Sequence, residues 1–286
     1  MQESWKVRET RMTLENVVEL HVHAAPDIRK RSVDDWGIVE SANREKMRAV
    51  VLKSHFFPTM CRAEDMQKIS EKTLIFGGIA MNRTVGGLNP YAAEKAVDMG
   101  AKIIWLPTHD AQNHCEKMGK AGGISVMNGK RPADGLKNIV QLAAERNAVL
   151  GTGHLSPYEI RHTADLAVKY GVKKLVVNHP ELHIVSLSIE EQKQLAEAGA
   201  YFERVYAQPV TPGNYKLNLE ENYRAVMEVG YETTIISTDG GQLENPFWTE
   251  ALLQYLNFME AKGLDQKRIE QMAVKNPAKM LGLPVN

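Results

Sequence analysis

Cysteine is nearly absent: Cys61 and Cys115 are the only two in 286 residues, and they form no Cys-x-x-Cys pair. That excludes a disulfide framework and points to a reducing compartment. Net charge is absent as well, with Lys plus Arg and Asp plus Glu at 35 each. Neither sign is in surplus to draw the chain to nucleic acid or an anionic membrane. No apolar run approaches the roughly 18 residues of a membrane span. The stretch Met1 to Arg11 is polar and carries no apolar signal core. Nor does a Gly-x-Gly-x-x-Gly follow the first apolar run, which argues against an open dinucleotide-binding sheet. These absences predict a soluble, cytoplasmic protein. Apolar material is not lacking: 43% of residues are hydrophobic, enough at this length for a sizeable core.

Apolar strand-like runs alternate with amphipathic runs along the whole chain. The predicted strands are 17–24, 49–55, 73–80, 101–107, 148–155, 174–179, 200–206 and 233–239. Helices are expected over 33–47 with Ser32 as cap, over 63–70, from Pro90 to Gly100, and over 136–146. Others follow Ser156-Pro157, with Glu159 completing a capping box, and cover 189–198, capped by Ser188, 219–229, 247–262 and 265–281. Between the fourth strand and its helix lies a long polar stretch, 108–135, in which Asn128-Gly129 signals a hairpin. Eight alternations with no compositional break predict one α/β domain over 1–286. Its expected form is a single (β/α)8 TIM barrel, with a loop and hairpin insertion after strand four and an extra C-terminal helix.

In such a barrel the chemistry sits at the C-terminal strand ends. His21 and His23, one residue apart on a strand, face the same way and make a natural pair of ligands for a divalent ion. Lys53 and His55 share a face at the end of strand two. His154, His179 and Asp239 end strands five, six and eight. Glu203 lies on strand seven, and His109 just past strand four. Only His114 and His162 among the nine histidines fall away from strand ends, with His183 counted in the loop after strand six. Four histidines and a carboxylate suit one or two divalent ions, zinc first, with manganese, iron and nickel accepted by the same donors. Tyr206, Tyr215 and the 108–135 loop are candidates for shaping the pocket.

The His-x-His on strand one, the histidines ending strands five and six and the Asp ending strand eight resemble the metal-dependent amidohydrolase superfamily. Asn276-Pro277-Ala278-Lys279-Met280-Leu281-Gly282-Leu283 looks like the closing helix motif of many members. The resemblance implies an ion at His21, His23 and Asp239, a second position at His154 and His179, and Asp239 as proton shuttle. It also implies a bridging lysine or Glu from strand three or four, which Lys102-Ile-Ile-Trp-Leu-Pro does not supply. Lys53 is the substitute by position and Glu203 the second candidate for a missing carboxylate. Lys53, His55 and His109 join Asp239 as candidate catalytic groups.

The expected function is hydrolysis of an amide, cyclic amide or lactone carbonyl of a small molecule by metal-activated water. A phosphoesterase or lactonase on the same site, an iron-dependent oxygen-activating enzyme and a non-catalytic metal-binding protein are the alternatives. The resemblance further implies a homo-oligomer.

Overall fold

The computed structural model describes residues 12–211 and 213–285, so the polar N-terminal stretch read for a signal segment lies outside the described residues. Strands β1 (Val18–His23) and β2 (Ala49–Lys53) are buried at every position. β2 reads as a nearly continuous apolar run because helices cover a parallel sheet on its faces, whereas β1 alternates Val18, Leu20 and Val22 with Glu19, His21 and His23. The predicted third strand divides into β3 (Leu74–Phe76) and β4 (Gly78–Ala80). Thr59 causes the break: its Oγ1 accepts from Gly78 N at 2.9 Å and donates to Leu52 O at 2.6 Å. Only glycine tolerates this approach, since a Cβ on Gly77 would lie 2.5 Å from the backbone of Thr59 and Met60.

The remaining strands are β5 (Ile103–Trp105), β6 (Met127–Asn128), β7 (Arg131–Pro132), β8 (Val149–Gly151), β9 (Leu175–Asn178), β10 (Tyr201–Val205), β11 (Ala207–Thr211), β12 (Asn214–Leu217) and β13 (Thr234–Ser237). Parallel ladders run β1-β2-β3 and β13-β10-β9-β8-β5-β4. The two sheets meet where His23 N donates to Gly240 O at 2.9 Å, beside the parallel bridge Val22–Gly240. Gly241 makes this possible: at φ 97° it passes so close to His23 O that no side chain fits. The α/β class and the parallel order agree with the sequence expectation.

Helices α1 (Asp35–Arg44), α2 (Met60–Gln67), α3 (Pro90–Asp98), α4 (Gln112–Lys117), α5 (Asp134–Glu145), α6 (Pro157–Tyr170), α7 (Ile189–Glu197), α8 (Leu219–Val229) and α9 (Trp248–Ala261) follow in order. Ser156 with Glu159 and Ser188 with Glu191 form the capping boxes at α6 and α7. Asp34, not Ser32, caps α1, by accepting from Gly37 N. Ser32 and Val33 are held instead in extended contacts, with Gly241 O and Ala25 N. Behind the seam, Trp248 of α9 donates from Nε1 to Ser41 Oγ of α1 at 3.1 Å.

The 108–135 stretch contains α4 and the β6–β7 hairpin. A second antiparallel hairpin, β11–β12, lies between β10 and α8. Pro209 is exposed on that two-stranded ribbon, where a missing N–H is tolerated. The terminal segment is α10 (Gln266–Glu270), a π turn (Gln271–Lys275) and α11 (Asn276–Leu281) rather than one helix. Pro277 has no N–H to continue the ladder, and Asn276 Nδ2 turns to Thr234 O at 2.6 Å and Tyr231 O at 3.0 Å. Among the described residues no helix is long and apolar enough to cross a membrane.

Candidate metal centre

Alternation along β1 carries His21 and His23 inward, and the turn after β13 brings Asp239 to them. Nε2 of His21 lies 3.0 Å, and Nε2 of His23 3.1 Å, from Asp239 Oδ1. The two Nε2 atoms are 3.3 Å apart. Among the described residues these three side chains form the group whose donor atoms all fall within 4.8 Å of one another. Both histidines are fully buried, and the Asp239 side chain is 22% exposed, so the group opens to solvent through the carboxylate.

Neighbours fix the state of His21. Its Nδ1 is 3.2 Å from Glu203 Oε2, which also accepts from Asn178 Nδ2 at 2.6 Å. Lys53 Nζ is 2.8 Å from the other nitrogen, Nε2. A proton on Nδ1 for Glu203 leaves the Nε2 lone pair facing Lys53 and Asp239, the tautomer a metal ligand needs. Burial opposes charge on His21, but Asp239 and Glu203 outweigh it and raise its pKa. Glu203 stays ionised: burial pushes it up, yet His21, Lys53 and Asn178 hold it at about 2. Asp239, beside two imidazoles, is likewise held well below the usual carboxylate range. Lys53 is brought down to about 8 by burial, with its Nζ 5.0 Å from the Trp105 ring.

At His23 burial and then Arg31 depress the pKa. Arg31 Nη2 lies 3.2 Å from His23 Nδ1 while gripping Asp27 at 2.7 Å. Ligation through His23 Nε2 puts the ring proton on Nδ1 and leaves Arg31 to Asp27 alone.

His179 supplies the test of whether an ion fits. Both of its ring nitrogens are buried with no hydrogen-bond partner, and burial takes its pKa down to about 3. Its ring centre is 6.0 Å from that of His21 and 4.9 Å from that of His154. An orphaned imidazole beside three converging donors is what a cation would satisfy, so the residues fit a divalent ion. Two of these groups stand in the left-handed backbone region, His179 at φ 33° and Asp239 at φ 50°. Such conformations are uncommon for residues with a side chain and gather at functional sites.

The other predicted residues divide. His154 reaches the mouth, but its Nδ1 faces His114 Nδ1 at 2.7 Å. His55 bonds Thr108 Oγ1 at 2.9 Å, and its ring centre lies 4.7 Å from that of His23. His109 Nδ1 is 2.7 Å from Arg29 Nη2. Glu203 stands behind His21 rather than beside Asp239. Tyr206 packs in the core and bonds Gln254. Tyr215 is on the β11–β12 hairpin.

Sequence reasoning passed over Glu19, His114 and Arg29. Glu19 is buried and accepts from Thr238 N and Oγ1, from Ser237 Oγ and from His21 N. Burial raises its pKa to about 7 against the pull of those donors. The signal was present, since Glu19 shares the two-residue spacing of His21 and His23.

No curated protein matches the chain. Solved structures share its fold at low identity. An amidohydrolase from Pseudomonas aeruginosa is 13% identical, covers 93% of this chain and 95% of its own, and superposes with a TM-score of 0.64. A structure titled 2-pyrone-4,6-dicarboxylic acid hydrolase, from Pseudomonas putida, is 12% identical over 96% of this chain and 100% of its own, with a TM-score of 0.64. A 2,6-dihydroxybenzoate decarboxylase from Rhizobium is 11% identical over 94% and 99%, at 0.55. The chain therefore shares its fold with these three enzymes. Residues 16–203, which carry all the candidate ligands except Asp239, match a family of unknown function, DUF6282, and the chain belongs to that family.

Proposed function

We propose that this protein is a metal-dependent hydrolase that cleaves an amide, cyclic amide or lactone carbonyl of a small molecule, with its strands closed into a barrel around one divalent ion, zinc first. The observation that carries the reading is the convergence of His21, His23 and Asp239 beside an imidazole, His179, whose two nitrogens have no partner. An ion bound there supplies Lewis-acid activation of water and polarisation of a carbonyl. The chain's own groups do the rest. Glu203 orients His21 through Nδ1 and keeps its Nε2 lone pair turned to the site. Asp239, partly exposed and held ionised, accepts the proton of the attacking water. His154, backed by His114, is placed to donate a hydrogen bond to the leaving group. Lys53 and Glu203 bracket His21 with opposite charges.

The test is a substrate screen of amides, cyclic amides and lactones with zinc-loaded protein, following both carboxylate formation and carbon dioxide release. Turnover of one class, lost in Asp239→Asn with zinc retained, supports hydrolysis. Carbon dioxide release without water incorporation would replace hydrolysis by decarboxylation.

A further inference from the structure

His55, just past β2, has one ring nitrogen engaged. Its Nδ1 lies 2.9 Å from Oγ1 of Thr108, in the loop after β5. Asn82, in the loop after β4, joins the two. Its Nδ2 donates to His55 O at 2.7 Å and to Thr108 Oγ1 at 2.6 Å, and its Oδ1 accepts from Thr108 N at 2.9 Å. All three residues are buried, Thr108 and Asn82 almost completely.

Counting donors and acceptors assigns the proton of His55. The Asn82 amide can lie only one way round, because its NH2 must meet the carbonyl of His55 and its oxygen must meet the N–H of Thr108. Thr108 Oγ1 therefore accepts from Asn82. Its own hydrogen then has one acceptor among the described residues, Nδ1 of His55. A proton on Nδ1 would leave that buried hydroxyl hydrogen without an acceptor, which is costly. The hydroxyl thus donates to Nδ1, and the ring proton is on Nε2. His55 is a hydrogen-bond donor and not a metal ligand in this arrangement.

That N–H is unspent. It has no acceptor among the described residues, yet it is not sealed in as the nitrogens of His179 are, so it opens into the mouth. The ring lies beside the candidate centre, 4.7 Å from the ring centre of His23 and 5.9 Å from that of His154. A rigidly held N–H donor next to a Lewis-acid position is what a developing oxyanion requires.

We propose that His55 donates from Nε2 to the carbonyl oxygen of the substrate, where negative charge builds as water adds, and that Thr108 and Asn82 are positioning residues that lock its tautomer. The contact rests on the hydrolase reading; the tautomer does not.

The first readout is nitrogen-15 NMR of the histidine rings in metal-free and zinc-loaded protein, with the His55 signals identified by their loss in H55N. The parent should show the Nε2–H tautomer in both preparations. T108S keeps the hydroxyl and should keep that tautomer, whereas T108V should lose the preference. A proton on Nδ1 in the parent, or an unchanged tautomer in T108V, would overturn the lock and the proposal with it. The second readout is calorimetric binding of acetohydroxamate, whose carbonyl oxygen chelates zinc, to zinc-loaded protein. H55N fills the place of Nδ1 and leaves that of Nε2 empty. It should bind the probe at least about tenfold more weakly, with zinc stoichiometry equal to the parent's. H55Q reaches the place of Nε2 and should recover part of the loss. Undiminished binding in H55N would overturn the contact, and so would H55Q binding no better than H55N, since packing rather than a donor would then have been lost. Failure of the parent to bind zinc would remove the hydrolase reading and the carbonyl contact together, whichever tautomer the NMR shows.

Discussion

Glu19 holds Thr238 across the seam between β1 and β13, accepting from its backbone N at 3.0 Å and its Oγ1 at 2.8 Å. Ser237 Oγ and His21 N donate to the same carboxylate. Asp239 is the next residue after Thr238, and His21 is two residues from Glu19. One buried side chain thus sets the spacing between two candidate ligands. Glu19→Ala leaves these donors buried without an acceptor, and should cost about 3 kcal/mol of stability. Glu19→Gln keeps an acceptor oxygen and should cost about half of that. Urea unfolding of metal-free protein measures both. Equal stability of the alanine variant and the parent would mean that water replaces the carboxylate and that Glu19 does not hold the seam.

The parallel α/β order was legible because fully buried strands must be apolar and the chain between them must turn. His21, His23, His154, His179 and Asp239 were legible for the converse reason: each is a polar residue at the end of an apolar run. What escaped depends on contacts with no local signature. His114 meets His154 forty positions away, and Arg29 meets His109 eighty away. The break at Gly77 follows from a side chain, Thr59, on another loop. The displaced cap of α1 follows from Ser32 being engaged by Gly241. Nothing in the type of His179 or Asp239 announces a left-handed backbone, since that conformation is imposed by the site.

A salt bridge between Glu203 and Arg204 is the ordinary expectation for adjacent charges, and here it does not form. The strand sends them to opposite faces. Glu203 goes to His21, while the fully buried Arg204 pairs with Glu181, donates to Gln192 Oε1 at 2.8 Å and reaches Thr234 Oγ1 at 3.2 Å. Glu181→Ala should destabilise by about 3–5 kcal/mol, because it strands a buried guanidinium. The double variant Glu181→Leu/Arg204→Met should recover most of that loss. Chemical denaturation of the two singles and the double measures the coupling. Additive losses would show that the pair is not a unit.

His154 and His179 are neighbours with different surroundings. His154 already has His114 as a partner, whereas both nitrogens of His179 have none. His179 should therefore complete the ion site and His154 should not. His179→Phe is expected to weaken zinc at least about tenfold, since even partners one step removed from a metal have effects of that size. His154→Phe is expected to leave zinc affinity unchanged. Competition against a chromophoric chelator gives both constants. The reverse ranking would transfer the fourth position to His154.

Lys53 decides whether the centre holds one ion or two. Its Nζ is buried, 2.8 Å from the nitrogen of His21 that faces Asp239, and burial brings its pKa down to about 8 against the pull of Asp239 and Glu203. A divalent cation in the same place would repel the ammonium further, so the lysine in a loaded site is neutral, displaced or carboxylated. Only one set of donors converges among the described residues, which favours a single ion with Lys53 at its edge. The parent should therefore carry about one zinc per chain. Lys53→Met should carry one as well, bound more tightly because a competing positive charge has gone. Metal analysis of protein purified without chelator or affinity-tag metals reads both numbers. Two equivalents in the parent falling to one in the variant would make Lys53 a bridge, and would turn His154 and His179 into the ligands of the second ion.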